Sequence, residues 1–257
     1  MSGSLPDFAD HFSPVAATYA ASRPGYPDAL FDWIARVAPA REVVWDCACG
    51  SGQATASLAA RFELVVATDA SAEQLSHAPP IPRTVWKRAV AESSGLPAAS
   101  VDAVTIAQAL HWFDFDAFWA EVRRVVRPGG VLVAWTYGPQ RIDDPAIDPI
   151  LNRFANGEVG PCWPANRRHV DSGYATIDFP FPRLDPPSLE LEVSWTLEQM
   201  LGYARSWSAT QRYVASYGSD PVEALAEALR PHWGSRTLVV RWPLAILAGR
   251  VDAVGTP

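Results

Sequence analysis

The stretch from Val43 to Gln53, VVWDCACGSGQ, contains an apolar strand that ends in an acid and leads into a glycine-rich loop. Because Gly50 and Gly52 carry no Cβ, the loop can bring its backbone close to a ligand where the next helix begins. A second apolar stretch, 64–67, is soon followed by Asp69, at a spacing where an acid can accept hydrogen bonds from ribose hydroxyls. The pattern predicts a site for a nucleoside-containing cofactor.

Details of the same loop distinguish between nicotinamide and adenosyl cofactors. The dinucleotide fingerprint is G-x-G-x-x-G/A, but counting from Gly50 places Thr55 at the third small position, and counting from Ala48 places Gln53 there. A pyrophosphate at a helix N-terminus gains nothing from a nearby carboxylate, whereas Asp46 stands at the mouth of this loop. An anion there suits a ligand with an ammonium group, such as the methionine end of S-adenosylmethionine.

The segment from Asp46 to Gly52 resembles motif I of the class I S-adenosylmethionine-dependent methyltransferases, usually D/E-x-G-x-G-x-G, with Ala48 replacing the first glycine. Alanine requires a more ordinary backbone at that position. The segment at 91–92 resembles the part of that family that flanks the adenine, and RPGG at 127–130 resembles the turn before its fifth strand. The resemblance implies S-adenosylmethionine as cofactor and S-adenosylhomocysteine as product.

Two further segments are similar to the trans-aconitate methyltransferase-like branch of small-molecule enzymes. That branch opens with Y-x3-RPxYP, matched here by Tyr19 and by residues 23–27, and shares A-Q-A-x-H-W-F, matched by residues 107–113. Together with motif I, the resemblance implies a set of cofactor-binding residues: Tyr19, Arg23, Asp46, Ala48, Gly50, Gly52, Gln53, Asp69, Ala70, Gln74, Ala91, Glu92, Gln108, Ala109 and Trp112.

Strands and helices alternate from Val43 onward, which predicts an α/β fold with a doubly wound, mostly parallel sheet. The resemblance implies that this Rossmann-like sheet has seven strands. Prolines crowd residues 139–187, so this part cannot continue a regular doubly wound sheet, and we expect a helical cap inserted late in the chain. The predicted units are an N-terminal lid segment at 1–27, a cofactor-binding core at 28–138, and a substrate cap with the final sheet strands at 139–257.

Local patterns predict the individual elements of the chain. Strands are expected to begin near residues 43, 64, 84, 101 and 131, with two later strands at 189–195 and 237–247. Helices are expected at 28–37, 55–62, 72–78, 116–126, 147–155, 197–206 and 221–229.

The composition restricts the partners of the chain. The 28 Asp and Glu residues outnumber the 21 Lys and Arg residues, and the net charge of −7 repels a phosphate backbone. No apolar run approaches the ~18 residues that span a bilayer, and the N-terminal residues do not resemble a signal peptide. We therefore expect a small-molecule acceptor, no nucleic acid and no membrane partner, and a monomer or homodimer.

The three cysteines are Cys47, Cys49 and Cys162, an odd count with a C-x-C pair too close for an ordinary disulfide. A zinc site needs four ligands and usually C-x2-C spacing, and His169 is the only histidine near Cys162. The pattern favours small residues packed in the loop over a metal site. We predict a cytoplasmic protein without a metal.

His111 follows a predicted buried strand and is the candidate catalytic residue. Methyl transfer displaces a good leaving group, so a catalytic residue is optional, and alignment of the nucleophile matters more. His111 could act as a general base for a hydroxyl or ring nitrogen, as a hydrogen-bonding group for acceptor or cofactor, or as a structural histidine. A carboxylate acceptor would need no base and would be oriented by an arginine.

The 11 tryptophans include several that are expected where the cap faces the cofactor. Aromatic faces can line a pocket for a flat acceptor, and an arginine there would suit an acidic one. For each tryptophan the alternative is ordinary core packing, and for the Arg167-Arg168 pair it is a solvated surface. The predicted acceptor-binding residues are Trp112, Trp135, Trp163, Arg168, Trp195 and Trp207.

Together these patterns predict an S-adenosylmethionine-dependent methyltransferase that acts on an oxygen or nitrogen of a small acceptor, planar or acidic. Two alternatives stay open. A nucleotide-linked oxidoreductase is disfavoured by Thr55 and Asp46, and a relative that binds the cofactor without turnover is compatible with the same residues.

Overall fold

A seven-stranded sheet runs through the centre of the molecule, which is known from a computed structural model that describes residues 25–251. The strands lie in the order β3-β2-β1-β4-β5-β7-β6. Strands β1 to β5 are parallel, and β7 runs antiparallel to both of its neighbours. The bounds are β1 Val43–Cys47, β2 Leu64–Asp69, β3 Thr84–Arg88, β4 Val101–Ala107, β5 Val126–Tyr137, β6 Glu190–Trp195 and β7 Leu238–Arg250. The predicted fold class is confirmed.

Helices cover both faces of this sheet and form the cap. The longer helices carry one buried face, as in α1, where Leu30, Phe31 and Ile34 are buried. The α-helices are α1 Asp28–Val37, α2 Thr55–Ala59, α3 Ala72–Ser76, α4 Phe115–Val125, α5 Ile147–Arg153, α6 Arg167–Asp171, α7 Leu197–Arg205, α8 Ser208–Tyr217 and α9 Val222–Trp233.

The inner parallel strands β1, β2, β4 and β5 are mostly buried because their side chains enter a core on each face of the sheet. Trp45, Val104 and Ile106 belong to the core cluster on one face, whereas Val44 and Ala103 belong to the cluster on the other. Strands that are apolar throughout are typical of a sheet covered on both sides. The carboxyl ends of β1, β2, β4 and β5 therefore share one edge, free for loops and ligands.

The cap differs from the prediction in its detail. It is divided by β6: α5 and α6 precede that strand, and α7 to α9 follow it. The sequence patterns missed α8, because only Ala209 and Thr210 of this mostly polar helix are buried. They also extended α2 to residue 62, whereas the helix ends at Ala59, and they missed the π-helical turn at Phe154–Glu158 that follows α5.

Candidate cofactor and acceptor site

The glycine-rich loop between β1 and α2 turns through three left-handed backbone positions. Ala48, Gly50 and Gly52 have φ angles of 53°, 56° and 91°. The expectation that alanine would make the backbone at position 48 more ordinary was wrong, since Ala48 adopts the conformation a glycine would adopt. A left-handed non-glycine residue costs about 1 to 2 kcal/mol, and the hydrogen bond from Cys49 N–H to the Thr68 carbonyl (3.0 Å) holds the turn against that cost.

Asp69, at the end of β2, joins the two loops at this edge of the sheet. Its Oδ2 accepts a hydrogen bond from the Gly50 N–H at 2.8 Å, and its Oδ1 accepts one from the Ser71 N–H at 2.8 Å. The contact is possible because β1 and β2 are parallel neighbours. A carboxylate oxygen can accept more than one hydrogen bond, so holding the loop does not by itself prevent Asp69 from binding a hydroxyl.

Asp46 is fully buried beneath the same loop. Its Oδ2 accepts a hydrogen bond from the Thr55 hydroxyl at 2.6 Å, and the Thr105 hydroxyl lies 3.4 Å from its Oδ1. Burial raises the pKa of Asp46 to about 7, partly offset by these two hydroxyls. No cationic side chain within residues 25–251 pairs with it. Thr55 is the residue that departs from the dinucleotide fingerprint, and its hydroxyl donates a hydrogen bond to Asp46.

The other predicted cofactor residues lie around this edge at varied depths. Gln74 is buried behind the N-cap of α3, and the Ala70 carbonyl accepts a hydrogen bond from Arg88 Nε at 3.0 Å. Ala91 is buried, and Glu92 Oε1 accepts the Asp114 N–H at 3.0 Å. The predicted contacts of Tyr19 and Arg23 fall outside the described residues.

Gln108 directly follows β4 and lies beside the cap. Its backbone is left-handed, with φ 58°, and its N–H donates to the Trp135 carbonyl at 2.9 Å. Gln108 Oε1 accepts a hydrogen bond from the Thr136 hydroxyl at 2.7 Å. Its Nε2 is buried and has no hydrogen-bond partner among residues 25–251. A buried donor without a partner is costly, so a ligand that accepts this hydrogen bond would be favoured.

A pocket of about 120 Å³ opens beside Gln108, between the sheet edge and the cap. Residues that follow β4, together with the end of β5, form one wall, and cap residues form the other. It contains three of the predicted tryptophans, Trp112, Trp163 and Trp207, and the candidate catalytic His111. The remaining lining residues include Tyr137, Gln140, Asn156, Arg167, Asp171 and Tyr203.

Three predicted acceptor-binding residues do not line this pocket. Trp135 is fully buried against Tyr26, with ring centroids 5.3 Å apart. Trp195 packs between the rings of Trp242 and Tyr203 at 5.1 and 5.4 Å. Alternate residues of a strand point to opposite faces, and these two point into the core. We therefore exclude both from the candidate acceptor site.

Arg168 is the third predicted residue that does not line the pocket. Its neighbour Arg167 lines the pocket instead. Successive residues of a helix point about 100° apart, and Arg168 directs its Nε toward His169 Nε2 at 3.5 Å. Arg167 lies 4.0 Å above the Trp163 ring and donates from Nε to Asp171 Oδ1 at 2.8 Å. Its two terminal nitrogens have no partner among the described residues. The sequence indicated the Arg167-Arg168 pair as a candidate. It did not predict which of the two side chains the helix would point into the pocket.

His111 lies in the pocket wall, in the short 3₁₀ helix Leu110–Trp112. Burial lowers its pKa to about 3, and the positive charge of Arg167 contributes to this shift. A histidine with such a pKa is neutral at physiological pH and is a weak base. Its Nδ1 lies 3.3 Å from the Tyr174 hydroxyl, a contact that no sequence motif indicated.

Within residues 25–251, no helix is long and apolar enough to cross a membrane. The same residues contain no group of three or more His, Cys, Asp or Glu side chains placed to hold a metal ion.

The sheet order and the glycine-rich loop define a Rossmann-like protein, and comparison with known proteins gives the family. A family model described as a methyltransferase domain matches residues 45–134. A Dictyostelium discoideum protein named as a methyltransferase is 30% identical over 225 residues, covering 86% of each chain. A Mycobacterium tuberculosis protein named as an uncharacterized methyltransferase is 38% identical over 144 residues, covering 55% of this chain and 58% of its own.

Solved structures agree with these sequence comparisons. A protein described as a type II methyltransferase from Anaeromyxobacter dehalogenans is 50% identical, with a TM-score of 0.83 over 90% of this chain and 98% of its own. The YcgJ protein of Bacillus subtilis, 17% identical with a TM-score of 0.51 over 86% of this chain and 97% of its own, shows the shared fold alone. The chain belongs to the class I methyltransferase family.

Proposed function

We propose that this protein transfers a methyl group from S-adenosylmethionine to an oxygen or nitrogen of a small-molecule acceptor. The cofactor would lie over the carboxyl ends of β1 and β2, held by the loop from Ala48 to Gln53 and by Asp69. The acceptor would occupy the pocket lined by Gln108, His111 and the cap. S-adenosylmethionine would supply the methyl group on a sulfonium centre, and the protein would align the acceptor and exclude water.

The observation that carries the proposal is the environment of Asp46. A fully buried carboxylate without a cationic partner in the described chain is unfavourable when ionised. The ammonium group of S-adenosylmethionine is a charge that would compensate it. A pyrophosphate would instead add a second negative charge, so the same acid opposes a nicotinamide dinucleotide.

The pocket supports a planar or acidic acceptor. Its walls include the rings of Trp112, Trp163 and Trp207, which offer large flat surfaces. Arg167 is the cation in the wall, stacked on Trp163 with its terminal nitrogens available. A volume of about 120 Å³ suits a small molecule. Similarity to the trans-aconitate methyltransferase-like branch is consistent with this assignment.

Among the three roles open to His111, a hydrogen-bonding role has the strongest support. With a pKa of about 3, the ring would be a poor acceptor for the proton of an alcohol at neutral pH. We therefore assign His111 to contact with the acceptor rather than to general-base catalysis.

The first test is calorimetric titration of S-adenosylhomocysteine into the purified protein, since this needs no acceptor. We expect binding in the micromolar range that is weakened by Asp69→Ala. An acceptor screen would follow, beginning with aromatic and aliphatic carboxylates, phenols and ring nitrogens. No binding by a demonstrably folded protein would overturn the proposal.

The same experiments separate the two alternatives. Thermal stabilisation by NADH and not by S-adenosylhomocysteine would indicate an oxidoreductase. Binding of S-adenosylmethionine without turnover against any acceptor would indicate a non-catalytic relative. The cytoplasmic location, the lid formed by residues 1–27 and the monomer or homodimer state stay predictions.

A further inference from the structure

His111 is held from two sides by the segment around α6. The Asn166 side chain donates from Nδ2 to the His111 carbonyl at 3.0 Å, which fixes the backbone. The Tyr174 hydroxyl lies 3.3 Å from His111 Nδ1. Tyr174 therefore contacts one ring nitrogen, Nδ1, and not the other, Nε2. The cap therefore determines both the position of the residue and the hydrogen bonding of its ring.

Tyr174 is placed by an unusual backbone. It follows Gly173, and the two residues have φ angles of 65° and 59°, both left-handed. The Tyr174 N–H donates to the His169 carbonyl at 2.7 Å, and its side chain is only 1% exposed. A left-handed tyrosine is rare and is kept only where the surrounding structure requires it. Here that structure brings the phenol to the histidine ring.

The direction of the hydrogen bond between the two rings follows from their chemistry. A neutral imidazole carries one N–H and one nitrogen with a free lone pair, and that lone pair is a better acceptor than a phenol oxygen. Donation from the Tyr174 hydroxyl to Nδ1 uses that lone pair and leaves the ring proton on Nε2.

We propose that Tyr174 is a positioning residue that keeps His111 neutral with its proton on Nε2, so that His111 donates a hydrogen bond to the acceptor and does not remove its proton. This rests on the proposed function and adds a residue to it. When the methyl carbon leaves sulfur and bonds to the acceptor, the acceptor atom must already hold a free lone pair. An ionised carboxylate, a phenolate and an uncharged amine or ring nitrogen meet this condition.

The charges around His111 agree with a neutral ring. Burial is the main cause of the lowered pKa of His111, and Arg167 and His169 from α6 lower it further. Asp171, the acidic residue in the pocket wall, pairs instead with Arg167. The ring is therefore expected to stay neutral from pH 5 upward, so pH changes in that range should not alter its tautomer.

Long-range ¹H–¹⁵N NMR of the histidine rings tests the assignment without an acceptor. The chain has five histidines, and His111→Gln identifies the signal of interest. We expect an Nε2–H pattern for His111 at pH 7. His169 is an internal contrast: its Nδ1 lies 2.8 Å from the Thr176 hydroxyl and its Nε2 faces Arg168 Nε, so it should show the Nδ1–H pattern.

Two variants test whether Tyr174 is responsible. Tyr174→Phe removes one hydrogen bond and should change the tautomer ratio of His111 by about fivefold to tenfold toward Nδ1–H. Tyr203→Phe is the matched control, because it removes a buried hydroxyl that accepts a hydrogen bond from Trp242 Nε1 at 3.2 Å. The control should leave the His111 signal unchanged, which separates a specific effect from a loss of packing.

An Nδ1–H pattern or a protonated ring for His111 in the wild-type protein at pH 7 would overturn the proposal. An unchanged ratio in folded Tyr174→Phe would also overturn it. Should that variant fail to fold, the wild-type spectrum alone decides. Titration with S-adenosylhomocysteine tests the proposed function independently, so failure of one is distinguishable from failure of the other.

Discussion

The loop after β1 and the cap after Tyr137 position their polar groups in different ways. In the loop, local backbone geometry positions the polar groups. The left-handed residues 48, 50 and 52 turn the chain, and Asp69 accepts a hydrogen bond from the Gly50 N–H. In the cap, the groups come from distant segments, as where Arg167, Trp207 and Gln108 meet in one pocket. The comparison teaches that the proposed cofactor region depends on local backbone geometry, whereas the proposed acceptor region depends on packing between distant segments.

The largest expected effect concerns Asp46. In the folded protein the pKa of the Asp46 carboxyl is about 7, so the group keeps its proton up to about that pH. An exposed aspartate has a pKa near 3.8 and ionises there. Stability therefore falls as the pH rises across that window, and at pH 8 ionisation costs about 4 kcal/mol. Asp46→Asn should stabilise the ligand-free protein at pH 8, give little gain at pH 4, and weaken S-adenosylhomocysteine binding. Chemical denaturation at both pH values and calorimetry measure these effects.

Asp102 supplies the control for that variant, since it is equally buried but satisfied by donors. It accepts the N–H groups of Glu42 and Val43 at 2.9 Å and pairs with Arg127 at 2.8 Å. Asp102→Asn should destabilise the protein at pH 8. Destabilisation of both variants to the same degree would argue against the uncompensated charge at Asp46.

Asp69→Ala is expected to have the next largest effect, on cofactor binding. It removes charge-assisted hydrogen bonds worth about 1.5 to 3 kcal/mol, together with the contact that orders the Gly50 N–H. The affinity for S-adenosylhomocysteine should fall by roughly tenfold or more. As a control, Asp143→Ala removes an exposed ion-pair partner of Arg241 and should leave the affinity for S-adenosylhomocysteine unaltered. Equal affinities for wild type and Asp69→Ala would refute the prediction that Asp69 binds the ribose hydroxyls.

Gly52→Ala tests the glycine-rich loop through both its backbone conformation and the space beside it. The residue has φ 91°, and an added Cβ would lie 2.5 Å from the Trp86 ring. An unfavourable backbone of this kind costs about 1 to 3 kcal/mol, and part of that cost should appear as weaker S-adenosylhomocysteine binding and a lower melting temperature. In the cap, Gly157→Ala meets only an ordinary contact at 3.9 Å and should change neither. Comparable losses in the two variants would contradict the contrast between the regions.

The smallest effect is expected from the two neighbouring arginines of α6. For an acidic acceptor found by screening, Arg167→Ala should raise KM by about fivefold to tenfold through loss of a charge-assisted hydrogen bond. Arg168→Ala should leave KM near the wild-type value, because that side chain points toward His169. Steady-state kinetics of both variants with the same acceptor provide the measurement, and a reversed order would place the acceptor elsewhere.

The elements that sequence alone predicted are those with a strong local pattern. Alternating strands and helices gave the confirmed fold class, and α1, predicted at 28–37, has those bounds in the structure. The polar helix α8 and the π-helical turn after α5 carry no such pattern. Their form depends on neighbouring elements, which a local window of sequence does not contain.

The sequence by itself determined the family and the fold, because motif I and Asp69 act over short distances along neighbouring strands. Only the tertiary structure decided which residues face the candidate acceptor pocket: Arg167 and not Arg168, and Trp207 and not Trp195. It also brought Tyr174 to His111, which are 63 residues apart in the chain. Such choices depend on helix phase and on how the cap packs against the sheet, and both are set by contacts between distant segments.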